Sequence, residues 1–225
     1  MEQVFYRFKE LFTERCNRIP ILSIGEDSVR YDFFCAAMQV MNLQPWEIQL
    51  ECSIHKDAYQ KRKHPKSKRN ENPQIDLMIQ NGEEIFCVEF GLFRRNSNPA
   101  GTINKTGRTI KMLNDFIRLG LHSHFVKNDS FFVCVADSFI LNHQMEKKQF
   151  DPFPAQNYLL DAAKVKSLLD EMKTAREHFD ERFARKLKEL GVTIDSEKIY
   201  DERITANKIE HETRILIWKV TEKLI

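Results

Sequence analysis

Glycine is scarce in this chain, with seven in 225 residues. That scarcity disfavours a loop-rich β-sandwich and a glycine-rich phosphate site, and neither a P-loop nor a dinucleotide-binding fingerprint is present. No apolar run approaches the ~20 residues that span a bilayer. The N-terminal stretch MEQVFYRFKELF is amphipathic and of mixed charge, unlike a secretory signal. These absences predict a cytoplasmic protein with no membrane partner. The five cysteines (Cys16, Cys35, Cys52, Cys87 and Cys134) are scattered and odd in number, with no CxxC pair. They predict buried, reduced thiols rather than a disulfide framework or metal site. His55, His64, His122, His124 and His143 form no HExxH pattern, and the neighbours His122 and His124 lack further zinc ligands. The histidines therefore read as surface residues. No nucleophile elbow supports acyl transfer, and no internal repeat is present.

What remains is the pattern of a soluble globular chain, 42% apolar and 30% charged. The net charge of +2 names no partner, because the charges are segregated along the chain. Residues 2–16 carry Val4, Phe5, Phe8, Leu11 and Phe12 at helical spacing. A second helix, about Val29 to Met41 with Asp27 or Ser28 as its cap, is apolar on most sides. Trp46 to Ile54 alternates as a strand does. The next stretch, HKDAYQKRKHPKSKRNEN, has seven lysines and arginines and almost nothing apolar, predicting a solvated basic loop or hairpin tip.

Residues 75–79 and 85–90 are two apolar runs flanking Asn81-Gly82, a strong hairpin signal. Folding there brings Asp76, at the start of one strand, beside Glu89, at the end of the other. Two carboxylates at one sheet end, followed by Arg94 and Arg95, suit a hard divalent cation. Such an ion can activate water against a phosphodiester. Downstream, residues 107–121 predict a helix with Ile110, Leu113, Phe116 and Ile117 inward and Arg108, Lys111, Asp115 and Arg118 on the polar side. The run FFVCVA, 131–136, predicts a strand buried on both faces. Asp151-Pro152 and Phe153-Pro154 mark a boundary. Residues 158–190 read as one long charged helix or two broken ones, ended by Gly191. Residues 214–220 (RILIWKV) read as a closing strand or a short helix, with strand favoured.

The expected fold is therefore α/β or α+β: a central mixed sheet flanked by helices. Residues 1–150 form a core domain. Residues 151–225 form a mainly helical C-terminal extension packed on it, with a final strand if the closing run is one.

The segment from about Glu26 to Asp137 resembles the PD-(D/E)XK, or restriction-endonuclease-like, nucleases. Pro73, Asp76 and Glu89, written PQID and VEFG, carry the likeness, together with the helix KMLNDFIRL and the strand FFVCVAD. The resemblance implies a Mg²⁺- or Mn²⁺-dependent nuclease acting on DNA in a defence, restriction or repair setting. Asp76, Glu89 and the Phe90 carbonyl would be the metal ligands, and Glu26, or else Asp32, a further acid. The family's lysine two residues after the glutamate is Gly91 here. Lys111 is the first substitute, with Lys105, Arg108 and Arg95 behind it. Lys61, Arg62, Lys63, Lys66, Lys68 and Arg69 of the basic loop, with Arg94 and Arg95, would hold the nucleic-acid backbone.

Plainer readings stand beside these. Asp76 and Glu89 can be solvated strand-end charges, although Glu89 lies between Val88 and Phe90 in an apolar strand. Glu26 can be a helix-start acid. Glu51, between Leu50 and Cys52, can support the site or pair with a basic side chain. The loss of the lysine at Gly91 leaves open a catalytically inactive protein that binds nucleic acid or serves as an assembly subunit. The apolar stripe Leu168, Leu169, Met172, Phe179, Phe183, Leu187 reads as a face packed on the domain and leaves a homodimer or larger assembly open.

Overall fold

The computed structural model describes residues 1–61, 72–94, 105–138, 157–171 and 179–224. Within them the chain forms α1 (Glu2–Arg18), α2 (Glu26–Met41), β1 (Ile48–Ser53), β2 (Gln74–Asn81), β3 (Glu84–Phe93), α3 (Lys105–Val126), β4 (Asp129–Asp137), β5 (Tyr158–Leu160), α4 (Ala162–Glu171), α5 (Glu181–Leu190), β6 (Val192–Ile204) and β7 (Thr213–Leu224). The fold is mixed α/β. One seven-stranded sheet has the order β1-β2-β3-β4-β7-β6-β5. Only β3 and β4 run parallel, and the crossover between them contains α3, as a parallel connection requires.

Both faces of the sheet are covered, because its central strands are apolar on both sides. In β4, Phe131, Val133 and Val135 join the cluster under α1 and α2, while Phe132, Cys134 and Ala136 join the cluster under α3, α4 and α5. Helix α1 buries Val4, Phe5, Phe8, Phe12 and Cys16, one stripe at helical spacing. Arg15 clamps it to α2 through both oxygens of Asp32, at 2.7 and 2.6 Å. Asp32 thus has a structural partner away from the acids described below.

The β2–β3 hairpin forms at the expected turn, with Gly82 at φ 63°, a conformation that suits glycine. Helix α2 begins earlier than expected. Its N-cap is Gly25, with no side-chain cap, so Asp27 and Ser28 lie inside the first turn. There Glu26 and Asp27 meet the positive end of the helix dipole. The basic stretch is less solvated than expected at its start, since Ala58 and Tyr59 are buried in the core.

The C-terminal part differs most from expectation. Residues 158–160 form a strand, not helix, and α4 and α5 are two separate helices, the second ended by Gly191 at φ 64°. β6 was not expected at all. Its alternation is broken by a bulge between Lys198 and Tyr200. Val192 and Ile194 face α3, whereas Tyr200 and Ile204 face α1, the switch of face that one extra residue imposes. The closing run is indeed a strand, and it lies inside the sheet between β4 and β6. Instead of a mainly helical extension, the segment contributes three of the seven strands. The boundary at residues 151–154 lies outside the described residues. No described helix is long and apolar enough to cross a membrane.

Candidate active site

The ladder between β2 and β3 runs from Asn81↔Glu84 to Leu77↔Val88. One step further, Asp76 stands opposite Glu89, and beyond that point β2 no longer pairs with β3. The edge groups of β3 that β2 leaves unpaired need other partners, and side chains supply them. Asp76 Oδ2 accepts from the Phe90 N–H at 3.0 Å, and Glu26 Oε2 accepts from the Leu92 N–H at 3.2 Å. Lys111 Nζ donates to the Phe90 carbonyl at 2.7 Å, and Arg108 donates to the Leu92 carbonyl at 2.9 Å. The four residues come from β2, α2 and α3, so the bare end of β3 gathers them in one place.

Lys111 also donates to Glu26 Oε1 at 2.8 Å, and Arg30 of α2 holds Asp76 Oδ1 at 2.7 Å. The carboxylate of Asp76 lies near enough to that of Glu89 to raise its pKa. Glu89 is 1% exposed. Burial first, then the carboxylates of Asp115 and Asp76, push its pKa well above the ordinary glutamate value against the pull of Arg118. Arg118 approaches Glu89 Oε1 at 3.0 Å and Asp115 Oδ1 at 2.5 Å. The approach to Glu89 lacks hydrogen-bond geometry, which leaves Oε1 buried without a hydrogen-bond partner. Asp115, 2% exposed, is also raised, by burial foremost, with Arg118 and Lys111 opposing. For Lys111 burial works against the charge, but Asp115, Glu26 and Asp76 outweigh it and lift its pKa above the usual lysine value. Lys111 is therefore a stable cation, suited to offset negative charge and not to accept a proton at neutral pH.

The structure thus brings together Glu26, Asp76, Glu89, the Phe90 carbonyl and Lys111. It adds Arg30, Asp115 and Arg118, which were not picked as site residues. The signal for the last two was available: they share the polar side of α3 with Lys111, one turn apart. Gly91 has no room for a lysine. A Cβ there would lie 2.9 Å from Phe93 Cζ and 3.1 Å from Phe132 Cζ.

Other expected residues stand apart. Arg94 donates to the Ile24 carbonyl at 3.2 and 3.0 Å, fixing the entry to α2. Glu51 is 64% exposed and 3.9 Å from Arg30, and its φ of 52° interrupts β1. Lys61 is exposed. Arg62, Lys63, Lys66, Lys68, Arg69 and Arg95 lie outside the described residues, as does the side chain of Lys105. Among the histidines, His122 is buried, contrary to expectation, because its Nδ1 accepts the His55 N–H at 3.0 Å. Cys16, Cys52, Cys87 and Cys134 are buried thiols, and Cys35 is partly buried.

For a divalent ion, the all-oxygen donors Asp76, Glu89 and the Phe90 carbonyl have suitable chemistry, and Glu89 Oε1 lacks a hydrogen-bond partner. Among the described residues, however, no three His, Cys, Asp or Glu side chains are grouped to hold an ion. No family model, curated protein or solved structure matches this chain.

Proposed function

We propose that the chain is a Mg²⁺- or Mn²⁺-dependent nuclease that hydrolyses phosphodiester bonds, of DNA foremost, in a defence, restriction or repair setting. The observation that carries this reading is Lys111 on the Phe90 carbonyl, next to the Asp76/Glu89 pair. A cation from α3 stands where Gly91 of β3 supplies none. The run of α2, three antiparallel strands, α3 and a parallel β4 supports a restriction-endonuclease-like core. Asp76, Glu89 and the Phe90 carbonyl would hold the ion, which supplies Lewis acidity and an acidified water. Lys111 offsets charge on the phosphoryl oxygens, and Glu26 orients Lys111. Lys61, with its basic neighbours in sequence, adds attraction for a polyanion.

The test is degradation of plasmid and single-stranded DNA in Mg²⁺ or Mn²⁺. Cleavage that Asp76→Ala and Glu89→Ala each abolish supports the assignment. Cleavage that survives both overturns it.

One observation favours a second reading. Each acid already has a cation: Arg30 for Asp76, Arg118 for Glu89 and Lys111 for Glu26. A cluster whose candidate ligands are already ion-paired fits a protein that keeps the fold and binds nucleic acid, or serves as an assembly subunit, without cutting. Nucleic-acid binding with no cleavage in either metal selects it.

A further inference from the structure

Of the three cations at the acid cluster, Arg30 is the one free to leave. Asp76 gives Oδ2 to the Phe90 N–H, so Oδ1 is the oxygen left to meet an ion, and Arg30 Nη2 stands on it at 2.7 Å. A divalent ion at that oxygen would lie a few ångströms from the guanidinium, where like charges repel. Lys111 and Arg118 are more firmly tied. Lys111 is shared between Glu26 and the Phe90 carbonyl, and Arg118 lies between the buried carboxylates of Glu89 and Asp115. Arg30 has one hydrogen bond among the described residues, the one to Asp76, and its buried Nε has no partner. A buried donor left unmade is costly, so its present place does not satisfy the whole guanidinium.

The other terminal nitrogen of Arg30 faces two further acids. Nη1 lies 3.9 Å from Glu51 Oε1 and 4.0 Å from Asp27 Oδ1, about 1 Å outside hydrogen-bond reach. Both acids are largely exposed, and neither has another ion-pair partner among the described residues, so either side chain can close on the guanidinium. Glu51 is also held in place by its backbone. It sits between the ladder pairs Leu50↔Leu77 and Cys52↔Ile75, across from Asp76, with φ 52°. A glutamate in left-handed backbone is uncommon, and such conformations gather at ligand clamps and switches.

We propose that Arg30 is a retractable counter-ion, which holds Asp76 while the site is empty and moves to Glu51 and Asp27 when a divalent cation takes Asp76 Oδ1. Arg30 is then a positioning residue that sets metal affinity by acting through Asp76, a role that rests on Asp76 as a metal ligand in the nuclease reading. While Arg30 holds Asp76 the site does not compete for an ion. Apparent affinity is therefore reduced by the fraction of molecules in which Arg30 has withdrawn. Glu51 and Asp27 raise that fraction by offering it a second place.

The test is Mn²⁺ binding without DNA, followed by the electron paramagnetic resonance signal of the free ion, with Asp76→Asn to identify ions bound elsewhere. Arg30→Gln is expected to bind Mn²⁺ about tenfold more tightly than the parent, because the competing state is gone. Glu51→Gln with Asp27→Asn, both at exposed positions, should weaken binding by about threefold or more. Added to Arg30→Gln, the same pair should change it by less than about twofold, since they act through Arg30. Equal weakening in both backgrounds shows that the acids act on the ion directly and overturns the proposal, as does Arg30→Gln binding no more tightly than the parent. Should Arg30→Gln fail to fold, crystals of the parent with Mn²⁺ decide. Arg30 on Glu51 or Asp27 beside a bound ion supports the movement, and Arg30 still on Asp76 overturns it. Plasmid degradation in Mn²⁺ separates this from the reading beneath it. Coupled binding with no cleavage keeps the role of Arg30 and overturns the nuclease, whereas cleavage with uncoupled binding keeps the nuclease and overturns the role of Arg30.

Discussion

Lys111 reaches the carbonyl of Phe90, 2.7 Å away, and by doing so sets a cation one residue past Glu89. Lys111→Met is expected to lower cleavage by about 10²–10³-fold, as loss of one charge-stabilising donor does, while Lys111→Arg retains part of the rate. Adding Gly91→Lys to Lys111→Met is not expected to rescue it, because the rings of Phe93 and Phe132 fill that space. Gly91→Ala alone should cost about 1–3 kcal/mol of stability, as an overpacked core does. Recovery of activity in the double variant, measured by plasmid degradation, would show that position 91 can host the lysine after all.

Arg118 is the counter-ion of two buried acids. Arg118→Met is expected to destabilise the fold by about 3–5 kcal/mol at pH 8, the usual result of stranding a buried charge. The loss should be smaller at pH 5, where Glu89 and Asp115 more readily hold protons. Adding Glu89→Gln should return part of the loss. Urea unfolding of the single and double variants checks this, and an equal penalty at both pH values would contradict it.

Glu89 makes a signed prediction of its own. Its folded pKa lies above the ordinary 4.5, so the native state holds a proton that the unfolded chain releases. The contribution to stability is fully present below pH 4.5 and declines as pH rises from there through the native value. Glu89→Gln removes that decline, and the variant should gain on the parent between pH 4.5 and pH 8. A variant that loses ground over this range would refute the shift.

His122 titrates the other way. Burial first, and His55 second, push its pKa from 6.5 down to about 4. Its contribution is present above pH 6.5 and lost as pH falls through 4, amounting to about 3 kcal/mol. His122→Gln, which can still accept from the His55 N–H, should narrow the gap between stability at pH 7 and at pH 4. An unchanged gap in thermal or urea unfolding would remove His122 as its source.

The site was legible where local rules act alone. Asn81-Gly82 fixes the hairpin, the hairpin fixes the register, and the register puts Asp76 beside Glu89. The 3.6-residue period of α3 put Lys111 on the polar face. Hidden from the sequence was what that face meets. Arg118 and Asp115 looked like solvent charges, and only the packing of α3 over β3 buries them. β6 escaped notice for a similar reason. Its bulge breaks the alternation, and its charged side chains take the intermediate or exposed positions of the strand. For Arg94, spacing gave no hint that the Ile24 carbonyl would claim it.

The position of β7 has a consequence for assembly. Every residue of the acid cluster lies before Asp137, yet β4, the strand that backs it, has its second edge covered, among the described residues, by Thr213–Val220 of β7. Without β7, β4 presents an open edge, and Trp218 is missing from beneath α3. The end of the sheet that carries the acid cluster is therefore completed only by a segment far downstream of it, and a product truncated before β7 carries every residue of the cluster on an unfinished scaffold.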